Sequence, residues 1–160
     1  MADTPHDFVP GAGFHWLTPV YDPLVALTCR DRTVKARLVA AANLRPGQRV
    51  LDLGCGTGNL SLRAKRACPG VEVAGVDADP RMLRAAVAKA NRAGVEATFT
   101  RGFAESLPFP DGAFDRVVSS LFFHHLSPTQ KGSALREAAR VLAPGGELHV
   151  ADWGRPAGPL

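Results

Sequence analysis

The residues of this chain best suited to chemistry begin at "VLDLGCGTGNLSL", Val50–Leu62, where Gly54, Gly56 and Gly58 alternate behind an apolar run carrying one acid, Asp52. Glycine lacks a Cβ, so a glycine-rich turn between a strand and a helix brings bare backbone up to a ligand and aims the N–H groups of the helix start at it. Such a turn favours nucleotide-like cofactors. The dinucleotide fingerprint spaces its glycines G-x-G-x-x-G, whereas this turn reads G-x-G-x-G with Asp52 two residues ahead. A carboxylate there repels a pyrophosphate and suits a ligand with positive charge near its adenosine end. S-adenosylmethionine, with its sulfonium and ammonium groups, meets that description. The next strand pattern ends "GVDADP", which puts Asp77 where a carboxylate accepts hydrogen bonds from two ribose hydroxyls, a role that NAD enzymes share.

Other reactive side chains are sparse. "FFHHL", Phe122–Leu126, holds the adjacent His124 and His125, which with His15 and Tyr21 are the candidates for a general base; packing at a strand end accounts for the histidines equally well. No His, Cys or carboxylate cluster accompanies the pair at metal-ligand spacing, so no metal is expected. Trp16 and Trp153 suit either an apolar acceptor pocket or ordinary packing, and Cys55 fills the variable slot of the glycine turn.

The elements that must position these residues follow from periodicity. Residues 1–21 carry Pro5, Pro10, Pro19, Gly11 and Gly13 without a sustained period and read as an irregular arm ahead of a single domain, 22–160. From Asp22 to Asn43 the apolar spacing is loosely helical, and Pro46 and Gly47 end that segment. Short β-branched runs then alternate with helical patterns: "RVLDL", Asn59–Ala67, "VEVAGV", Pro80–Ala93, "EATFT" and "DRVVSS". This is the grammar of βαβ units and a parallel sheet. Asp79 and Pro80 open the helix that places Leu83, Ala86, Val87 and Ala90 on one face, and Ser127 and Pro128 open another with Leu135, Ala138, Ala139 and Leu142 as its stripe. "APGG", Ala143–Gly146, is expected to close that helix before a last strand, "ELHVAD".

Taken in order, "VLDLGCGTGNLSL", "VAGVDADPRML", "AESLPFPDGAFDRVVSSLFFHHL" and "REAARVLAPGGELHVAD" resemble the class I S-adenosylmethionine-dependent methyltransferases, in particular the small-molecule branch of ubiquinone and menaquinone biosynthesis, from about Tyr21 to Asp152. The resemblance implies a Rossmann-like, doubly wound, mostly parallel sheet with helices on both faces. It implies S-adenosylmethionine held by Asp52, Gly54, Cys55, Gly56, Gly58, Asp77, Ala78, Ala104, Glu105 and Ser119, with "PVYDPL" and its Tyr21 lying over the cofactor. It also implies methyl transfer to a small, apolar or aromatic acceptor. Two departures stand out. Many relatives carry an acid where this chain has Phe103, so adenine would lean on the Ala104 backbone and apolar packing. The family sheet has seven strands, and the sequence ends at Leu160 just after the fifth, so the last strand is expected to present an open edge on which a second copy can pair. A binding module that holds the cofactor without turnover, and an NAD-dependent oxidoreductase, are the readings from other classes.

Composition bounds these readings. The 160 residues suffice for one compact core, and 19 Lys and Arg scattered among 15 acids form no run that would track phosphates, so no nucleic-acid partner is indicated. Cys29, Cys55 and Cys68 are odd in number, and neither a signal pattern nor a membrane-spanning stretch is visible. The expectation is a cytoplasmic protein.

Overall fold

The computed structural model describes residues 31–153. The expected arm 1–21, and His15, Trp16, Tyr21 and Cys29, lie outside the described residues. Within them run α1 (Asp31–Ala41), β1 (Arg49–Leu53), α2 (Asn59–Ala67), β2 (Glu72–Asp77), α3 (Pro80–Ala93), β3 (Thr98–Arg101), β4 (Phe114–Ser120), a single 3-10 turn (Phe123–His125), α4 (Pro128–Val141) and β5 (Leu142–Ala151). All pairings are parallel, in the order β3-β2-β1-β4-β5. The chain therefore winds outward from β1 through β2 to β3, then returns to the other side of β1. Beside the carboxyl ends of β1 and β4 the strand order reverses, and there doubly wound sheets open a crevice.

β1 is buried over Val50–Leu53, as a central parallel strand covered on both faces must be. On one face Leu38, Val39 and Ala42 of α1 and its end pack with Leu60 and Ala64 of α2 over Val50, Val73 and Val118. On the other, Ala134, Ala138 and Val141 of α4 pack over Leu51, Val117 and Phe114. Of the stripe read from the sequence, Ala138 is buried and Leu142 packs against the core, but Leu135 is 46% exposed and Ala139 exposed, with Ala134 and Val141 buried instead. Successive helix residues point about 100° apart, and three small or β-branched side chains let α4 lie close to the sheet. Val87 of α3 is likewise exposed, its place in the core taken by Met82.

Both helix starts carry side-chain caps. Asp79 accepts the Arg81 N–H at 2.7 Å, and Ser127 and Gln130 form a reciprocal capping box. Ala143–Gly146 does not separate α4 from β5. Between the pairs Phe114↔Leu142 and Arg116↔Glu147, β4 advances two positions and β5 five, so the "APGG" residues bulge out inside a strand that starts directly at the helix end. β3 and β4 are joined by residues 102–113 without a helix, and α4 holds this loop. The Leu107 N–H donates to Glu137 Oε2 at 2.7 Å, while Arg140 donates to the carbonyls of Leu107 and Phe109 and to Asp111.

Candidate functional site

The glycine turn leaves β1 with the N–H groups of Gly54 and Cys55 both donating to the Val76 carbonyl at 3.0 Å. Gly54, Gly56 and Gly58 all lie at positive φ, +70°, +52° and +77°, yet each has a different neighbour. A Cβ on Gly54 would fall 2.3 Å from the Phe122 ring, and one on Gly58 would fall 3.0 Å from Ala86 and Phe99. Around Gly56 there is nothing within 4 Å. Two glycines thus admit packing partners, and the middle one faces open space where a ligand can approach.

Asp77, at the end of β2, reaches back to this turn. Its Oδ2 accepts the Gly56 N–H at 2.8 Å and its Oδ1 accepts the Asp79 N–H at 2.9 Å. Burial raises the carboxyl above its ordinary range, against the pull of these N–H groups. A carboxylate has about four lone-pair sites, so two such bonds leave acceptor capacity toward the cleft.

Asp52 takes a different role. It is 1% exposed, and its Oδ2 accepts both the Ser61 N–H at 2.9 Å and the Ser61 hydroxyl at 2.6 Å. It thereby ties β1 to the first turn of α2, where helix N–H groups lack intrahelical acceptors. Burial lifts its pKa to about 6, opposed by Ser61 and Lys35 and reinforced by Asp77. Cys55 is buried beside Gly75, where a Cβ would come 2.9 Å from its sulfur, and burial pushes its thiol far up, so it is unreactive. Ser119 is fully buried and donates to the Leu53 carbonyl at 2.8 Å. Of the residues expected at the cofactor, Asp52, Cys55, Gly56, Gly58 and Ser119 are absent from the wall of the neighbouring cleft.

That wall bounds the cleft where the strand order reverses. Gly54, Asp77, Ala78, Ala104 and Glu105 line it, as do Phe103, Phe122 and His125. Gln130, unremarked in the sequence, also lines it and donates from Nε2 to Glu105 Oε1 at 2.7 Å. At the mouth, His124 Nδ1 lies 2.6 Å from Asp152 Oδ1. Asp152 went unsuspected because its partner lies 28 positions earlier; the signal was topological, since β4 and β5 are parallel and the Ser120↔Ala151 pair brings the residues beyond them together. Among the described residues no group of His, Cys, Asp and Glu is arranged to hold a metal.

A glycine turn and an acid-tipped second strand opening on one cleft at the switch point define a Rossmann-like cofactor-binding domain. A family model described as a methyltransferase domain matches residues 50–146. The chain belongs to that methyltransferase family. It is 42% identical over 145 residues to the demethylmenaquinone methyltransferase of Thermus thermophilus, covering 89% of this chain and 65% of that protein. It is 41% identical over 150 residues to the ubiquinone/menaquinone biosynthesis C-methyltransferase UbiE of Bordetella avium, covering 92% and 58%. A crystal structure of a SAM-dependent methyltransferase from Aquifex aeolicus superposes with a TM-score of 0.67 at 26% identity, covering 78% and 68%. The chain spans about three fifths of the length of the curated relatives it matches. S-adenosylmethionine is the cofactor of this domain, and the cleft fits it: bare backbone at Gly54, a carboxylate with spare acceptor sites at Asp77, and aromatic walls from Phe103 and Phe122.

Proposed function

We propose that residues 22–160 form the catalytic domain of a cytoplasmic methyltransferase that alkylates a small, aromatic, quinol-like acceptor. The observation that carries this reading is the Gly56–Asp77 hydrogen bond at the edge of the open space beside Gly56. Asp77 would hold the ribose hydroxyls, the turn at Gly54 and Gly56 would take the amino-acid portion, and Ala78, Phe103 and Ala104 would bracket the adenine. Asp52 would act at one remove, by fixing the turn. When bound, the cofactor supplies an already activated methyl group. The acceleration left to the protein is alignment and exclusion of water, which needs no nucleophilic side chain. The acceptor class rests on the names of the relatives in quinone biosynthesis.

Calorimetry with S-adenosylmethionine, followed by transfer assays on a panel of naphthoquinols, phenols and amines, tests the proposal. Binding with transfer to a quinol or phenol is expected. Binding without transfer to any of them assigns a non-catalytic module instead, and preference for NAD in equilibrium dialysis rejects both. Val150 and Trp153 are exposed on and just beyond β5, the sheet's outer strand among the described residues. An unpaired edge favours pairing with a second copy, which sedimentation over a concentration series would reveal as a dimer. No helix among the described residues is long and apolar enough to cross a membrane.

A further inference from the structure

The 3-10 turn after β4 hangs over the glycine turn, with Phe122 against Gly54 and the two histidines just beyond. The rings of His124 and His125 lie side by side, tilted by 41° with centroids 4.0 Å apart. They are placed differently. Asp152 accepts from His124 twice, at the backbone N–H (3.1 Å) and at Nδ1 (2.6 Å), and its orientation is held by the Trp153 N–H at 2.7 Å. Burial alone would raise the Asp152 carboxyl, but the bonds from His124 and Trp153 hold it below its ordinary range, so it is ionised at neutral pH. An ionised acceptor at Nδ1 assigns the ring proton to that nitrogen. His125 lines the cleft, and among the described residues neither of its ring nitrogens has a hydrogen-bond partner.

We propose that His125 is the base that takes the acceptor's hydroxyl proton, and that Asp152, acting through the adjoining ring of His124, is its positioning residue. This rests on the reading of the cleft as a methyl-transfer site. In the step, the acceptor O–H bond breaks and its proton goes to a ring nitrogen of His125. The acceptor's ring carbon or oxygen then bonds to the methyl carbon as the methyl–sulfur bond breaks, and that electron pair stays on sulfur as a neutral thioether. If carbon is methylated, protonated His125 returns its proton to the ring oxygen and the neutral imidazole or water takes the proton from the ring carbon, which restores aromaticity. No oxidant or reductant is needed.

The charge pattern around His125 supports a base that is neutral when acceptor arrives. Two rings 4.0 Å apart resist double protonation. Burial first, and His124 second, lower the His125 pKa, while the Asp152 charge opposes them. Across the cleft stand Glu105, engaged by Gln130, and Asp77, engaged by Gly56 and Asp79. Gln130, the α4 residue lining the cleft, is uncharged. A base within reach contributes about 10²–10⁴-fold.

The experiment pairs rate with resonance. Transfer from S-adenosylmethionine to a phenol or naphthoquinol is followed against pH for the wild type and for His125→Gln, His124→Gln and Asp152→Asn. Imidazole C–H resonances are titrated in the same proteins without substrate, and calorimetry checks cofactor binding. His125→Gln is expected to lower turnover at least 100-fold with cofactor affinity retained and to abolish the acid limb of the profile. Asp152→Asn should move that limb, and the His125 resonance, to lower pH; His124→Gln should move both to higher pH. A His125→Gln enzyme with the wild-type rate and profile overturns the base, as does a His125 resonance indifferent to both other substitutions. Loss of cofactor binding in the wild type would instead reject the reading of the cleft, with the resonance titration still reporting whether the three residues are coupled.

Discussion

Asp77 and Gly56 are joined by a hydrogen bond of 2.8 Å that runs from the glycine turn to the tip of the neighbouring strand. One carboxylate therefore holds the glycine turn and, in the proposed reading, would present acceptor oxygens to the ligand. Replacing Asp77 by Ala removes both actions. The expected loss in S-adenosylmethionine affinity is roughly 30- to 100-fold, the equivalent of about 2–3 kcal/mol for charge-assisted bonds. Asn, which keeps one acceptor oxygen, should fall between. Calorimetry on the two variants decides, and an Ala variant with undiminished affinity removes Asp77 from the ribose.

The glycines separate binding from folding. Gly56→Ala meets no neighbour within 4 Å, so its stability cost is confined to the positive-φ conformation, about 1–2 kcal/mol, while cofactor affinity should fall at least tenfold. Gly54→Ala drives a Cβ against the Phe122 ring at 2.3 Å and must displace it. Urea unfolding should therefore rank Gly54→Ala as the less stable variant. The opposite ranking would contradict the packing described.

Asp52 makes stability depend on pH with an identifiable sign. Its pKa is raised from 3.8 to about 6, so the folded state holds the proton more tightly than the unfolded chain. The stability it contributes is fully present below the unfolded value and is lost as pH rises through the folded one. Between about pH 4 and pH 7 the wild type should lose on the order of 2–3 kcal/mol relative to Asp52→Asn. Chemical denaturation of both proteins across that range measures the difference directly, and a constant gap would be incompatible with a buried, titrating Asp52.

Glu137 anchors the loop that carries Ala104 and Glu105. Its carboxyl is held down to about 2, first by Arg140 and then, against the opposing effect of burial, by the Leu107 N–H. Glu137→Ala should speed hydrogen exchange at Leu107 and weaken cofactor binding several-fold while the sheet amides keep their protection. Because this pKa is depressed, the anchoring is present above the ordinary carboxylate range and is lost as pH falls toward 2. Exchange at Leu107 that is unchanged in the variant would show the loop to be held by other contacts.

Element order was legible wherever local rules decide it. The Asp79–Pro80 and Ser127–Pro128 helix starts, and the Pro80–Ala93 span itself, stand as the sequence signals them. In the α4 stripe Ala138 was read correctly and Leu135 was not, because apolar size was weighed ahead of fit against the sheet: Ala134 is buried where Leu135 is exposed. The "APGG" bulge was read as a stop because proline and glycine serve both purposes, and only pairing to β4 distinguishes them. At the site, spacing indicated Gly56 and Asp77 as residues that act from neighbouring strand ends. It could not show that Asp52 turns inward to Ser61, which depends on which face of β1 the helix covers, or that Asp152 meets His124 across two strand ends.

The 21 positions separating Gly56 from Asp77 also set an order of assembly on the ribosome. Every residue of that latch has emerged once the first βαβ unit has been made, so its loop can close early and at small entropic cost. The His124–Asp152 contact waits for β5. A chain released early, or slowed in translation before β5, would already contain both residues proposed to hold the cofactor while still lacking the carboxylate that accepts from His124.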